Sequence, residues 1–211
     1  TVLPSRAPEG KPIHNSAVLL ANGVVAGVQH KTLLPTYDVF DEGRYFQSAA
    51  EHPVFGFGGR KMALAVCEDV WNDPEFWQKR LYPIDPVEEF ARQGADLLVV
   101  ISASPFSMGR PRFRLRMLQN TARRHGMDLV YLNLVGGNTT LVFDGASFVL
   151  SRRGDLIGRA RGFEEDFICV DLDRGEPIVL EADDDVGDVY GALVLGTRDY
   201  LHKTGFTKVA L

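Results

Sequence analysis

Leu64-Ala65-Val66-Cys67-Glu68-Asp69-Val70-Trp71 is an apolar run that stops at a cysteine followed by two carboxylates. Its small and β-branched residues read as a buried strand. A cysteine at the end of such a strand is held out above the sheet by the turn that follows, a common way to present a nucleophile. The reactive form of cysteine is the thiolate, which near neutral pH needs a nearby positive charge or a helix N-terminus. Taken alone, Cys67 reads more simply as a structural cysteine at a strand end. Its neighbours decide between the two readings.

Upstream of this stretch, Ala17–Leu20 and Val24–Val28 flank Ala21-Asn22-Gly23. Asn-Gly between apolar runs is a strong hairpin signal. Lys31 follows the second run, and residues 32–53 then form a long segment with Pro35, Gly43, Tyr37, Phe40, Tyr45 and Phe46. A loop with that much aromatic mass in a compact domain is usually functional. Residues 1–16, rich in Pro, Gly and charge, read as loop.

Downstream, Asn72-Asp73-Pro74-Glu75 and Asp85-Pro86-Val87-Glu88 each carry the cap-then-proline signature of a helix start. Leu97–Ile101 is a continuous apolar run, as in a strand covered on both faces. The loop 104–110 precedes a helix from Pro111 to about His125, whose Arg112, Arg114 and Arg116 read as a solvated face. Leu129–Val135 reads as a strand and Gly136-Gly137-Asn138 as a turn. Leu141–Phe143, Ser147–Leu150, Leu156–Gly158 and Phe167–Leu172 read as a meander, with Cys169 as inert core within its last strand. Strand and helix alternation followed by antiparallel strands points to an α/β layered fold. From Asp173 the composition shifts to an acidic linker containing Glu181, Asp183 and Asp184. A helix over about 186–203 follows, and Phe206–Leu211 reads as the opening of a strand.

The chain has 211 residues, with 45% apolar and 24% charged residues, the balance of an ordinary globular protein. A net charge of -5 argues against nucleic acid as a partner. No apolar run is long enough to span a membrane. The two cysteines, Cys67 and Cys169, suit a reducing compartment, so a cytoplasmic location is expected. Glu68 and Asp69 invite a metal-site reading, but no histidine partners them at useful spacing, and no metal is expected.

Several of these motifs, in this order, resemble the nitrilase-like glutaminase domain of glutamine-dependent NAD(+) synthetases. The matching stretches are Lys31–Phe46, Val66–Trp71, Ser102–Phe106 with Gly109-Arg110, and Val135–Gly137 with Phe143–Gly145. Val189–Tyr200 looks like the helix leading into a synthetase domain. The resemblance implies a nitrilase-like α-β-β-α sandwich lacking its first strands, over residues 1–172. Residues 173–211 would form the linker, helix and first strand of a synthetase domain.

The resemblance further implies a Cys, Lys and Glu triad. Cys67 would attack the side-chain amide of glutamine, and Lys31 with the backbone N–H of Glu68 would stabilise the oxyanion. Tyr37, Ser104 and Arg110 match positions lining the glutamine pocket, and the guanidinium fork of Arg110 suits a carboxylate. The family's catalytic glutamate would lie upstream of everything present; Glu9, in a Pro/Gly loop, does not replace it, and Glu42 matches an accessory glutamate. The chain alone is therefore expected to be weakly active or inactive. Asn138-Thr139-Thr140 stands where the family usually has Gln-Asp-Glu. The glutaminase step needs no cofactor; ATP and Mg2+ would belong to the synthetase domain, which is the implied partner, together with further copies in a homo-oligomer. The alternatives are a stand-alone amidase acting on another small amide and a non-catalytic assembly module.

Overall fold

A computed structural model describes residues 1–6, 8–180 and 184–210. Glu181 and Asp183 of the expected acidic linker, and Leu211 at the expected final strand, lie outside them.

The hairpin signal is realised by β2 (Ile13–Ala21) and β3 (Val24–His30), with Asn22 at φ 52° and Gly23 at φ 77° between them. Both central residues are left-handed, so the turn has the twist that antiparallel strands need. The segment read as loop also supplies β1 (Val2–Pro4), paired with β2 through Val2 and Asn15, and β2 itself starts at Ile13. Proline and charge in residues 1–16 hid both strand segments.

Six strands form the central sheet in the order β11-β10-β7-β6-β5-β4. They are β4 (Val54–Phe57), β5 (Arg60–Val66), β6 (Leu97–Ser102), β7 (Asp128–Asn133), β10 (Phe148–Leu150) and β11 (Leu156–Arg159). Its middle strands β5, β6 and β7 run parallel. Their alternation splits the interior in two. Ala63, Ala65, Leu98, Val100, Leu129 and Tyr131 face one core, with Val87 and Phe90 of α2 (Pro86–Arg92) and Leu115 and Leu118 of α3 (Arg110–His125). Met62, Leu64, Val66, Leu97 and Val99 face the other, with Ala17 and Leu19 of β2. The layers are thus helix, six-stranded sheet and three-stranded sheet, the α-β-β part of the expected α-β-β-α sandwich. Asp85 caps α2, accepting from Val87 N and Glu88 N.

Several sequence expectations are corrected. No helix starts at Asn72–Glu75: Asp73 Oδ1 instead accepts from Glu75 N in a turn and pairs with Arg124. Residues 167–172 form no strand. Ile168, Val170 and Leu172 do face a cavity beside Val130 and Leu132, but the segment pairs with no strand and Cys169 is exposed rather than core. Gly136 and Gly137 belong to β8 (Val135–Asn138), which pairs with β9 (Leu141–Asp144). Arg114 is not on a solvated face: it is fully buried, bonded to Asp144 at 2.5 Å.

The C-terminal helix α4 (Asp185–Thr204) is capped by Asp184 and ends at left-handed Gly205. It docks on the β8–β9 hairpin, where Asp199 Oδ2 accepts from Gly137 N at 2.7 Å and Lys203 donates to Gly137 O. Residues 206–210 form no strand: Phe206 N bonds back to Leu201 O, and its ring stacks on Tyr200. Among the described residues no helix is long and apolar enough to cross a membrane.

Candidate active site

Cys67 stands where β5 passes into a short 3-10 helix, Cys67–Val70, at φ 47°. A non-glycine residue in this left-handed region is strained, and such strain persists only where surrounding bonds fix the backbone. Asp69 supplies those bonds. Buried to 1% exposure, its carboxylate accepts from Val66 N at 3.0 Å, Thr32 N at 2.9 Å and Leu33 N at 2.8 Å. One side chain thus ties the lysine loop to the nucleophile turn. The two acidic residues after Cys67 hold backbone and phenol donors, which is a structural alternative to a metal pair.

Lys31 directly follows β3, fixed by its N–H to Asn15 O and by Ala49 N to its own carbonyl. Its ammonium, 1% exposed, lies 2.5 Å from Glu42 Oε1 on α1 (Glu42–Tyr45). A buried ammonium requires such a partner, because the desolvation cost of an unpaired charge is several kcal/mol, on the order of the fold's stability.

A cavity of about 180 Å³ opens above Cys67. Its wall includes Tyr37, Glu68, Trp71, Ser104 and Arg110, so the structure brings Cys67 and the three expected pocket residues together. Lys31 and Glu42 are not on this wall. Arg110 begins α3, stacked 5.3 Å over the Trp71 ring. Ser104 is held by Asn133, which accepts from Ser104 N at 2.9 Å and donates to Ser104 O at 3.3 Å. Asn133 in turn donates to Asp144, the partner of buried Arg114.

Sequence reasoning assigned Glu68 only a backbone role. Its side chain is 5% exposed and lines the cavity, accepting from Tyr37 Oη at 2.8 and 2.9 Å and from Tyr82 Oη at 3.0 Å. Tyr82 was not singled out; it lies in an irregular proline-containing segment with no motif. The Asp69 clamp was also missed, because two of its three partners are 36 and 37 residues away.

Burial raises the Cys67 thiol, and the charge of Lys31 and the nearby Ser102 hydroxyl oppose this without cancelling it. Burial thus favours the neutral thiol, while the nearby ammonium acts in the expected direction, toward the thiolate. Burial also raises Glu68, against its two phenol donors, and pushes Asp69 up to about 6. The Tyr37 phenol is raised, first by burial and then by the charge of Glu68. Elsewhere, Asp85, Glu88 and His125 place three donor atoms within 4.8 Å of one another. There Arg124 lies 3.0 Å from Glu88 and 3.6 Å from Asp85, and already supplies the positive charge.

The sequence profile of the carbon-nitrogen hydrolases matches residues 1–177. The chain belongs to the carbon-nitrogen hydrolase family. A glutamine-dependent NAD(+) synthetase of Synechocystis is 43% identical over 95% of this chain, and the matched part is 37% of that protein. The corresponding enzyme of Thermotoga maritima is 31% identical over the whole chain and 42% of its own length. Among solved structures, a glutamine-dependent NAD+ synthetase from Acinetobacter baumannii, in complex with ADP, superposes with a TM-score of 0.82. It is 34% identical over 99% of this chain and 38% of that one. An amidase of the nitrilase superfamily from Nesterenkonia matches with a TM-score of 0.58 at 30% identity, over 77% of this chain and 56% of that one. This carbon-nitrogen hydrolase chain spans little more than a third of the length of the curated synthetases it matches.

Proposed function

We propose that this chain is the glutaminase part of a glutamine-dependent NAD(+) synthetase. It would hydrolyse the side-chain amide of glutamine and supply ammonia for the ATP-dependent conversion of deamido-NAD to NAD(+). One observation carries the reading: the cavity over Cys67 is walled by a buried carboxylate, Glu68, an exposed one, Asp38, and one guanidinium, Arg110. Opposite charges on the wall of a small pocket suit the ammonium and carboxylate of an α-amino acid whose side chain reaches the thiol.

In this reading, Cys67 sulfur adds to the amide carbon. The oxyanion faces Lys31 and the Glu68 N–H, the nitrogen leaves as ammonia after taking a proton, and water then cleaves the thioester to glutamate and free thiol. The neutral thiol requires a proton acceptor. Asp69 is committed to three backbone N–H groups and Glu42 to Lys31, and Glu68, bonded to two phenols, is reserved in this reading for the α-ammonium of the substrate. Turnover by the described residues alone is therefore slow, as the resemblance implies. ATP and Mg2+ would serve the synthetase partner, and residues 173–211 would lead into it in a cytoplasmic homo-oligomer.

The likeness to the Nesterenkonia amidase favours a second reading, an amidase acting on another small amide. Alkylation of Cys67 by iodoacetamide separates the two. Glutamine should slow it saturably, while glutaramate, which lacks the α-ammonium, protects poorly. Equal protection by both would favour the simple amidase. No protection by any amide would leave a non-catalytic assembly module.

A further inference from the structure

We infer that Tyr82 is a positioning residue that fixes the Glu68 carboxylate for the α-ammonium of the amide substrate; this rests on the amino-acid reading of the pocket. Glu68 Oε1 accepts from both Tyr82 and Tyr37, whereas Oε2 accepts from Tyr37 alone. A carboxylate offers about four acceptor sites. The two phenols therefore load Oε1 and leave more of the capacity of Oε2 for an ammonium in the cavity.

The two donors are anchored differently. Tyr37 stands on the cavity wall, 45% exposed, on the long aromatic loop. Tyr82 is half-buried and is not on that wall. Its backbone is held at both ends by Asn72, which donates to Tyr82 O at 2.9 Å and accepts from Tyr82 N at 3.3 Å. Asn72 also donates to Ile84 O and is 1% exposed, one residue past Trp71 of the nucleophile segment. The Tyr82 hydroxyl is thus referenced to the stretch that carries Cys67 and Glu68, and it stands off the cavity wall that a ligand would meet.

The second consequence is electrostatic. Lys31, Glu42, Cys67, Tyr37 and Tyr82 act on the Glu68 carboxylate. Burial and Glu42 favour its neutral form, and the phenols and Lys31 favour its charged form. Glu68 must be charged to attract an ammonium. Removing the Tyr82 hydroxyl lets its pKa climb, so attraction is lost at a higher pH on acidification.

Tyr82→Phe keeps the ring and removes the hydroxyl. The test compares labelling of Cys67 by a diazoketone analogue of glutamine, by its desamino counterpart and by iodoacetamide. Y82F should slow the glutamine analogue by about tenfold, the scale of one hydrogen bond to a charged group. The desamino reagent and iodoacetamide should react at wild-type rates. The acid limb of the glutamine-analogue profile should move to higher pH. On a Glu68→Gln background the same change should have no further effect. Equal slowing of all three reagents by Y82F, or an undiminished effect in E68Q, would assign Tyr82 a merely structural role and overturn the inference. Unchanged rates would overturn it as well. In all those cases, a wild-type preference for the ammonium-bearing reagent would leave the pocket reading standing. A wild type without that preference would remove the pocket reading, and the inference with it.

Discussion

Cys67 combines a left-handed backbone with a buried thiol, and each has an identifiable counterweight. Asp69 holds the backbone through three N–H groups, and Lys31 opposes the burial that raises the thiol. Because burial wins, the thiolate forms only as pH rises above the ordinary thiol range, and iodoacetamide labelling of Cys67 should climb through the alkaline range. Lys31→Met removes the opposing charge. Its labelling rate near neutral pH should fall by about tenfold, one pKa unit, and its profile should shift to higher pH. An unshifted profile would mean that Lys31 does not act on the thiol. The variant also leaves Glu42 without its charged partner and should unfold more readily by about 2 kcal/mol, less than for a fully buried pair.

At the scale of elements, local chemistry was legible and long-range pairing was not. Asn22-Gly23 and Asp85-Pro86 act on their own backbone, so the hairpin and α2 could be read directly. The alternation in β5 and β6 was visible only as apolar runs, because both faces are covered. Tyr37 and Glu68 are 31 residues apart, and Arg114 and Asp144 are 30 apart. Nothing local in the sequence marks either pair. Residues 167–172 show the opposite failure: the alternating pattern was correctly seen, but the hydrogen-bond partners that make a strand are not there.

The helix α4 gives an element-scale test. Its polar anchors on β8 are Asp199 and Lys203, both on Gly137, and it has little part in the two cores. Asp199→Ala should raise amide exchange along α4 by about tenfold while leaving exchange in β5 to β7 unchanged. Faster exchange throughout the sheet would show that α4 is integral to the core.

At the scale of the molecule, the layered sandwich brings together Lys31, just past β3, Cys67, at the end of β5, and Arg110, at the start of α3. The layering followed from strand and helix order, and the chemistry of the site followed from ordered motifs resembling a known family. The way Glu68, Tyr82 and Asp69 complete the site required the fold. The central claim is that Cys67 is a nucleophile aimed at glutamine. Peptide mass spectrometry after treatment with the diazoketone analogue of glutamine tests it most directly. The expected result is an adduct on Cys67, suppressed by excess glutamine, with none on exposed Cys169. A folded chain that gains no adduct at Cys67, or gains it equally at Cys169 and without protection by glutamine, would contradict the claim.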